Sequence, residues 1–478
     1  MSVDKFRRGS VFILNDFLSN THSTVFPNAP AGSLYYGDAR VPAGFTQNSP
    51  WQFSPRVGIT FDPTGLGKTV LRAGSALVYD EPNFFTAQRV NQNPPFATAI
   101  SNVPGNVALS FASPWSNGST PSNPFPLPFK PPASTKFGNQ AQFIVLPVHF
   151  HPTYTFQWTA SLQQELRHGW QFQIDYIGSQ SSFVALGLPL DPAVYIPGSS
   201  TLGNTSSRYL LTLDNPSQGP KYAGGGTGSI LINDGANASY NGMIATIQHR
   251  VSSDFSLFSN YTWSHCFDIE DAQGDFATVT VQNPNDIRGD RANCGFDHRA
   301  IFNAALVADS HFHLSGWKSF ALNNWELAPL LQIHDGAPFT VTSGVDNSLT
   351  ATGNDRPNLV NPNDIYTHKT LTKTNAGNRN FLNASAYAQN ATGTFGDVGR
   401  NSVRGPKYVQ LDAQLSRYFP LGERFKLDTR LEAFNALNHP DFSNPASASL
   451  LSSSFGQVTS TVTGYGARVF QGGLKLIF

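Results

Sequence analysis

The strongest constraint on this chain is an alternation of apolar and polar residues with period two, recurring in segments of about ten residues. It is clearest over Glu423–Phe434. Phe425, Leu427, Thr429, Leu431 and Ala433 fall on one face there, and Arg424, Lys426, Asp428, Arg430 and Glu432 on the other. Thr155–Leu166, Trp170–Tyr176 and Val409–Leu415 repeat the pattern, and further candidates are 52–62, 69–79, 241–251, 255–264, 300–313, 324–334 and 466–478. Helical periodicity is almost absent. The pattern predicts eleven strands, with a weak twelfth near the N-terminus.

Composition narrows the function classes. Of 478 residues, 31 are Lys or Arg and 31 are Asp or Glu, so the formal net charge is zero. There is no basic field to draw phosphates, which argues against a nucleic-acid partner. Charged residues make up 13%, about half the roughly 25% usual for soluble proteins; Ser, Thr, Asn, Gln and Gly take their place. Two cysteines cannot build a four-Cys zinc site. No run reaches the ~18 apolar residues of a transmembrane helix. The N-terminal apolar run, Val11–Leu14, is shorter than the roughly 7–15 residues of a signal peptide, so no export signal is expected here.

Connection lengths decide between a soluble sandwich and a membrane barrel. The short connections are Asp62–Lys68, Arg167–Gly169, Ser252–Asp254, Leu314–Asn323 and Pro420–Gly422. They alternate with long ones at 80–152, 179–240, 265–299, 335–406 and 437–465. Outer-membrane barrels alternate in this way, with short periplasmic turns and long extracellular loops. Ten residues at about 3.3 Å each, tilted about 45°, rise roughly 23 Å, close to the ~25 Å apolar band of such barrels. Tyr154, Trp158, Trp170, Tyr176, Tyr261 and Trp263 near strand ends fit aromatic girdles. The expected fold is all-β: a partial antiparallel transmembrane β-barrel of about 11–12 visible strands. Arg424, Lys426, Asp428, Arg430 and Glu432 should line the lumen, because a lipid-facing Arg or Lys costs about 2–4 kcal/mol at the bilayer midplane.

The final strand carries a second signal. Counting back by twos from Phe478 gives Leu476, Leu474, Gly472 and Phe470. A terminal aromatic on an alternating strand resembles the signal read by the barrel-assembly machinery, through pairing of an open strand edge. That orientation puts 437–465 outside the cell and Pro420–Gly422 in the periplasm. The expected partners are outer-membrane lipid and this machinery, and the expected location is the outer membrane.

Several motifs resemble the TonB-dependent outer-membrane receptors of the Oar-like type. They are Phe53-Ser-Pro-Arg-Val-Gly-Ile-Thr-Phe-Asp62 with Gly67–Gly74, Asn260-Tyr-Thr-Trp-Ser264, Phe296-Asp-His-Arg299, Phe395-Gly-Asp-Val-Gly-Arg-Asn-Ser-Val-Arg-Gly-Pro406, and Glu432-Ala-Phe-Asn-Ala-Leu-Asn-His-Pro440. The resemblance covers about residues 25–478. It implies a C-terminal barrel of about 22 strands, a plug inside it, a segment that engages TonB, and energised passage of a bulky ligand. Only about half of those strands are visible, and no plug, TonB-engaging segment or regulatory domain is recognisable. The chain therefore reads as the C-terminal portion of such a receptor (51–478), preceded by an atypical segment (1–50). TonB and a plug are partners only of a fuller form, and the ligand is unknown. The alternatives are a plug-free porin-like channel of about 12 strands and a secreted soluble β-rich binding protein.

Candidate chemistry is sparse. Gly65-Leu-Gly-Lys-Thr69 lacks the first Gly of a phosphate loop and precedes a strand, so it reads as a hairpin turn. Gly224–Gly228 reads as a flexible loop. His311 and His313 share a strand face with Asp309, and His149 and His151 lie in a loop; a metal site is geometrically possible at each, but polar rim residues are the simpler reading. Cys266 and Cys294 share one long loop beyond the export barrier, where a disulfide is favoured over a free pair. The same loop holds Asp268, Glu270, Asp271, Asp275, Asp286 and Asp290. These could hold calcium through oxygen ligands, although their spacing fits no EF-hand and a solvated loop is the favoured reading. No nucleophile elbow or zinc-protease motif occurs. An enzyme, a metal and a cofactor are all unexpected.

Overall fold

The computed structural model describes residues 7–44, 46, 51–80, 84–96, 131–138, 141–224, 228–252, 255–271, 279, 281–353, 355–367, 379–422, 424–464 and 466–478. Eleven strands form one continuous antiparallel path in chain order. They are β1 (Arg56–Phe61), β2 (Thr69–Tyr79), β3 (Tyr154–Glu165), β4 (Trp170–Pro189), β5 (Ile230–Ser252), β6 (Phe255–Asp268), β7 (Ala300–Asp309), β8 (Trp325–His334), β9 (Tyr408–Leu421), β10 (Phe425–Phe434) and β11 (Val469–Ile477). Among the described residues β1 pairs only with β2 and β11 only with β10, so the sheet has two open edges. No described helix is long and apolar enough to cross a membrane.

Each of the eleven alternating segments forms a strand of this sheet, and the differences lie at the ends. β4 and β5 run to 20 and 23 residues, well into the segment 179–240 read as a loop. Bulges at Ser182/Val184 and Val184/Leu186 bend the extension, where a bulge lets a strand leave its plane. The segment 300–313 stops at Asp309. Near the N-terminus, Ser10–Phe12 pairs with Ser33–Tyr35 as a separate ribbon, so it adds no twelfth strand to the sheet.

Register shows why the alternation matters. Ile59, Ala73, Ala160, Tyr176, Met243, Trp263 and Ala300 are successive cross-strand partners, as are Phe61, Leu71, Leu162, Ile174, Ala245, Tyr261 and Phe302. These rows make one face predominantly apolar. The other carries Gln163, Gln173, Thr246, Asn260, Asn303, Gln332 and Gln410 in one row. A one-residue slip would swap the faces. Trp158 lies opposite Gly178, where its indole occupies the space a Cβ would need.

The apolar core lies in the long connections. Leu186, Ile230 and Ile232, from the extended ends of β4 and β5, pack with Val90, Ile144 and Val281. Phe17, Phe143, Leu211 and Tyr222 form a second cluster, and Val341, Leu382, Tyr387 and Val403 a third. The N-terminal ribbon joins this loop layer: Tyr222 Oη donates to the Ala31 carbonyl at 2.6 Å.

Asp191 is buried at the edge of this layer. One carboxylate oxygen accepts the Leu211 N–H at 2.7 Å, and the other has no partner among the described residues. Burial raises its pKa from 3.8 to about 6, against the lowering effect of the Leu211 N–H. The folded state thus holds this proton more tightly than the unfolded chain. The resulting stability is complete below about pH 4 and is lost as pH rises through about 6. Asp191→Asn, which keeps an acceptor for Leu211, should flatten that slope and raise stability at pH 7 relative to the parent, as read by denaturant unfolding at pH 4, 6 and 7.

Candidate functional site: an arginine-locked loop layer on a two-faced sheet

Cys266, near the end of β6, is disulfide-bonded to Cys294 with Cα atoms 5.4 Å apart. The Cys294 N–H donates to the Cys266 carbonyl at 3.1 Å, and the Cys266 N–H donates to Asp297 Oδ1 at 2.7 Å. The staple holds the third long connection against the sheet, next to the acidic cluster.

Among the described residues most of that cluster is paired with arginines and not left to solvent, and no three of its carboxylates are grouped to hold a metal. Arg400 makes ion pairs with both Asp268 and Asp271, and its Nε donates to the Asp290 carbonyl at 3.0 Å. Arg356 pairs with Asp290, with 5% and 1% of the two side chains exposed. Arg404 bridges Asp297 and Asp335. Glu270 is buried. The Asp286 side chain caps the turn Ile287–Asp290 by accepting the Arg288 N–H at 3.2 Å. Asp275 lies outside the described residues. Buried carboxylates are tolerated when paired, and three arginines from the fourth long connection supply the pairing.

The arginines explain the segment Phe395–Pro406. Arg400 and Arg404 form the ion pairs. Asn401 Nδ2 donates to the Asn293 carbonyl at 2.9 Å, and Thr340 Oγ1 donates to Asn401 Oδ1 at 3.0 Å. Gly396 packs so closely on the Arg356 carbonyl that a Cβ there would overlap it. Asp297 and Arg299, in Phe296–Arg299, complete the lock: Arg299 Nε donates to Asp297 Oδ2 at 3.3 Å. None of these partners stands out as a pair in the sequence, because Arg400 and Arg404 lie 132 and 107 residues from Asp268 and Asp297 along the chain.

On the sheet, Lys426, Asp428, Arg430 and Glu432 share the polar face, opposite Ile477, Lys475, Gly473 and Gln471 of β11. Asp428 is fully buried, and its Oδ2 accepts from Arg430 Nε at 2.8 Å. Arg424 lies in the turn before β10 and is exposed. Phe470, Leu474 and Leu476 lie on the apolar face opposite Ala433, Thr429 and Leu427, and Phe478 follows the strand, 93% exposed.

The remaining candidates separate. His311 and His313 fall in the connection after β7, outside the strand that was to align them with Asp309. His151 Nδ1 bonds Asp234 at 2.7 Å and its ring stacks on Phe183 at 4.5 Å, while His149 is exposed. In the turn before β2, Asp62 accepts the N–H groups of Thr64, Gly65 and Gly67 at 3.0, 3.0 and 2.6 Å. The amides a phosphate loop would offer are thus occupied by the chain's own carboxylate. Of Gly224–Gly228, residues 225–227 lie outside the described residues. Among the described residues no three His, Cys, Asp or Glu side chains are grouped to hold a metal.

Arg400→Gln would strand Asp268 and Asp271 without their cation, and breaking a buried pair costs about 3–5 kcal/mol. Lys68→Gln, at an exposed turn, should stay within about 0.5 kcal/mol. Denaturant titrations of both variants in detergent, followed by near-UV circular dichroism, check the contrast.

No curated protein matches this chain. Among solved structures, the outer membrane transporter YddB from Escherichia coli is similar at 8% identity and TM-score 0.42, over 89% of this chain and 40% of that one. A mutant of the ferric enterobactin receptor PfeA from Pseudomonas aeruginosa is similar at 11% identity and TM-score 0.40, over 89% and 40%. The ferric preacinetobactin receptor BauA from Acinetobacter baumannii is similar at 9% identity and TM-score 0.37, over 89% and 36%. The chain thus spans 40% or less of the length of these structures. Residues 8–471 match the family described as the outer membrane beta barrel domain, and the chain belongs to that family.

Proposed function

We propose that this chain is the barrel-forming part of a TonB-dependent receptor of the Oar-like type, working in the outer membrane within a larger assembly that completes the sheet. The observation that carries the reading is the pair of edges left open among the described residues, on a sheet with one apolar and one polar face. A barrel in lipid leaves no edge unpaired, so the edges of β1 and β11 call for further strands. In such an assembly the polar face, with Lys426, Asp428, Arg430 and Glu432, lines a wet interior that a plug would fill. The arginine-locked loop layer forms the outer mouth, where a bulky ligand first meets the receptor. The exposed apolar row Phe470, Leu474, Leu476 and Phe478, beside an unpaired edge, suits capture by the barrel-assembly machinery. A twelve-strand passive pore is less well supported, since the N-terminal ribbon stands apart from the sheet.

Single-cysteine labelling in proteoliposomes tests the reading. Lys426→Cys should react with a water-soluble maleimide and resist a lipid-phase probe, and Leu427→Cys should do the reverse. Reaction of both positions with the water-soluble reagent alone would remove the membrane assignment.

A further inference from the structure

Among the described residues, the apolar face carries a cation, Arg417, with no carboxylate partner. Arg417, on β9, is the cross-strand neighbour of Trp325 and Thr429 on that face. Its guanidinium carbon lies 4.5 Å from the ring centre of Phe419, 4.9 Å from Phe320 and 5.1 Å from Trp325. Its Nε is buried with no hydrogen-bond partner among the described residues. Phe320 belongs to the short helix Gly316–Leu322 in the connection between β7 and β8. This helix folds back on the sheet, where Trp325 Nε1 donates to the Ala321 carbonyl at 2.9 Å. Trp317, Phe320 and Leu322 on it are 76%, 68% and 51% exposed, so the apolar face continues over the helix.

Depth supplies the second argument. Arg417 is four residues from Leu421, the last residue of β9 at the short-turn end. At about 3.3 Å per residue and a tilt of about 45° that is roughly 9 Å in from the strand's end, nearer the interface than the hydrocarbon centre and within the reach of a long side chain that snorkels toward the headgroups. An aromatic cage holds the cation by cation–π attraction and fixes its direction, yet it offers the N–H donors no oxygen. A guanidinium carries five such donors and matches phosphate in a two-pronged geometry.

Resting on the membrane reading, we propose that Arg417, caged by Phe320, Trp325 and Phe419, binds the phosphate of a phospholipid headgroup in the leaflet at the short-turn side. Lys318, on the helix that carries Phe320, is exposed.

The full chain in nanodiscs of equimolar phosphatidylglycerol and phosphatidylcholine, released and weighed by native mass spectrometry, gives the test. The parent should retain phosphatidylglycerol, and Arg417→Gln should retain about tenfold less, the loss of one charge-assisted phosphate contact. Phe320→Ala keeps the cation and removes one wall, so it should show an intermediate loss even if Arg417→Gln folds poorly. Equal retention by parent and both variants would overturn the proposal, as would release of the lipid by millimolar inorganic phosphate, which would mark a free-anion site. Labelling positions 426 and 427 in the same nanodiscs separates the two failures: correct labelling with unchanged lipid retention defeats only the headgroup site.

Discussion

Backbone pairing in an apolar medium is the interaction on which this structure depends. In hydrocarbon an unmatched N–H or C=O costs several kcal/mol, so the chain crosses that layer as strands whose groups are matched by their neighbours. Once the ladder is formed, the side-chain period of two sorts residues without further instruction. Met243, Trp263 and Ala300 reach one face, and Thr246, Asn260 and Asn303 the other. The bilayer then plays the part that an apolar interior plays in a soluble domain.

Above the sheet the solvent is water and the rules change. The loop layer has the anatomy of a small globular protein: clusters such as Phe17–Phe143–Tyr222 exclude water, a disulfide closes one connection, and arginines neutralise the carboxylates that burial would otherwise disfavour. Because Arg400 and Arg404 come from one connection and their acids mainly from another, the ion pairs tie the two connections together.

The legible and illegible parts of the sequence divide along the same line. Where lipid meets one face, the alternation is sharp, and Phe425–Phe434 could be read as a strand residue by residue. Where β4 and β5 rise beyond the membrane, contrast between faces fades into runs such as Gly178-Ser-Gln-Ser-Ser182, and the extensions look like loop. The acidic cluster was visible, but its cations lie 66 to 132 residues away in sequence, a distance only the fold closes. His311 and His313 misled for the opposite reason: His-Phe-His-Leu alternates, yet the ladder of β7 has already ended.

The strand count has a geometric consequence. Neighbouring strands alternate in direction, and the path holds an odd number of them, so β1 and β11 run the same way. Two upright copies placed side by side would therefore meet in parallel at both seams, where hydrogen bonds are slanted and pairing is slightly weaker. A complement that meets both seams antiparallel must itself contribute an odd number of strands, with its outer two both ascending toward the long loops.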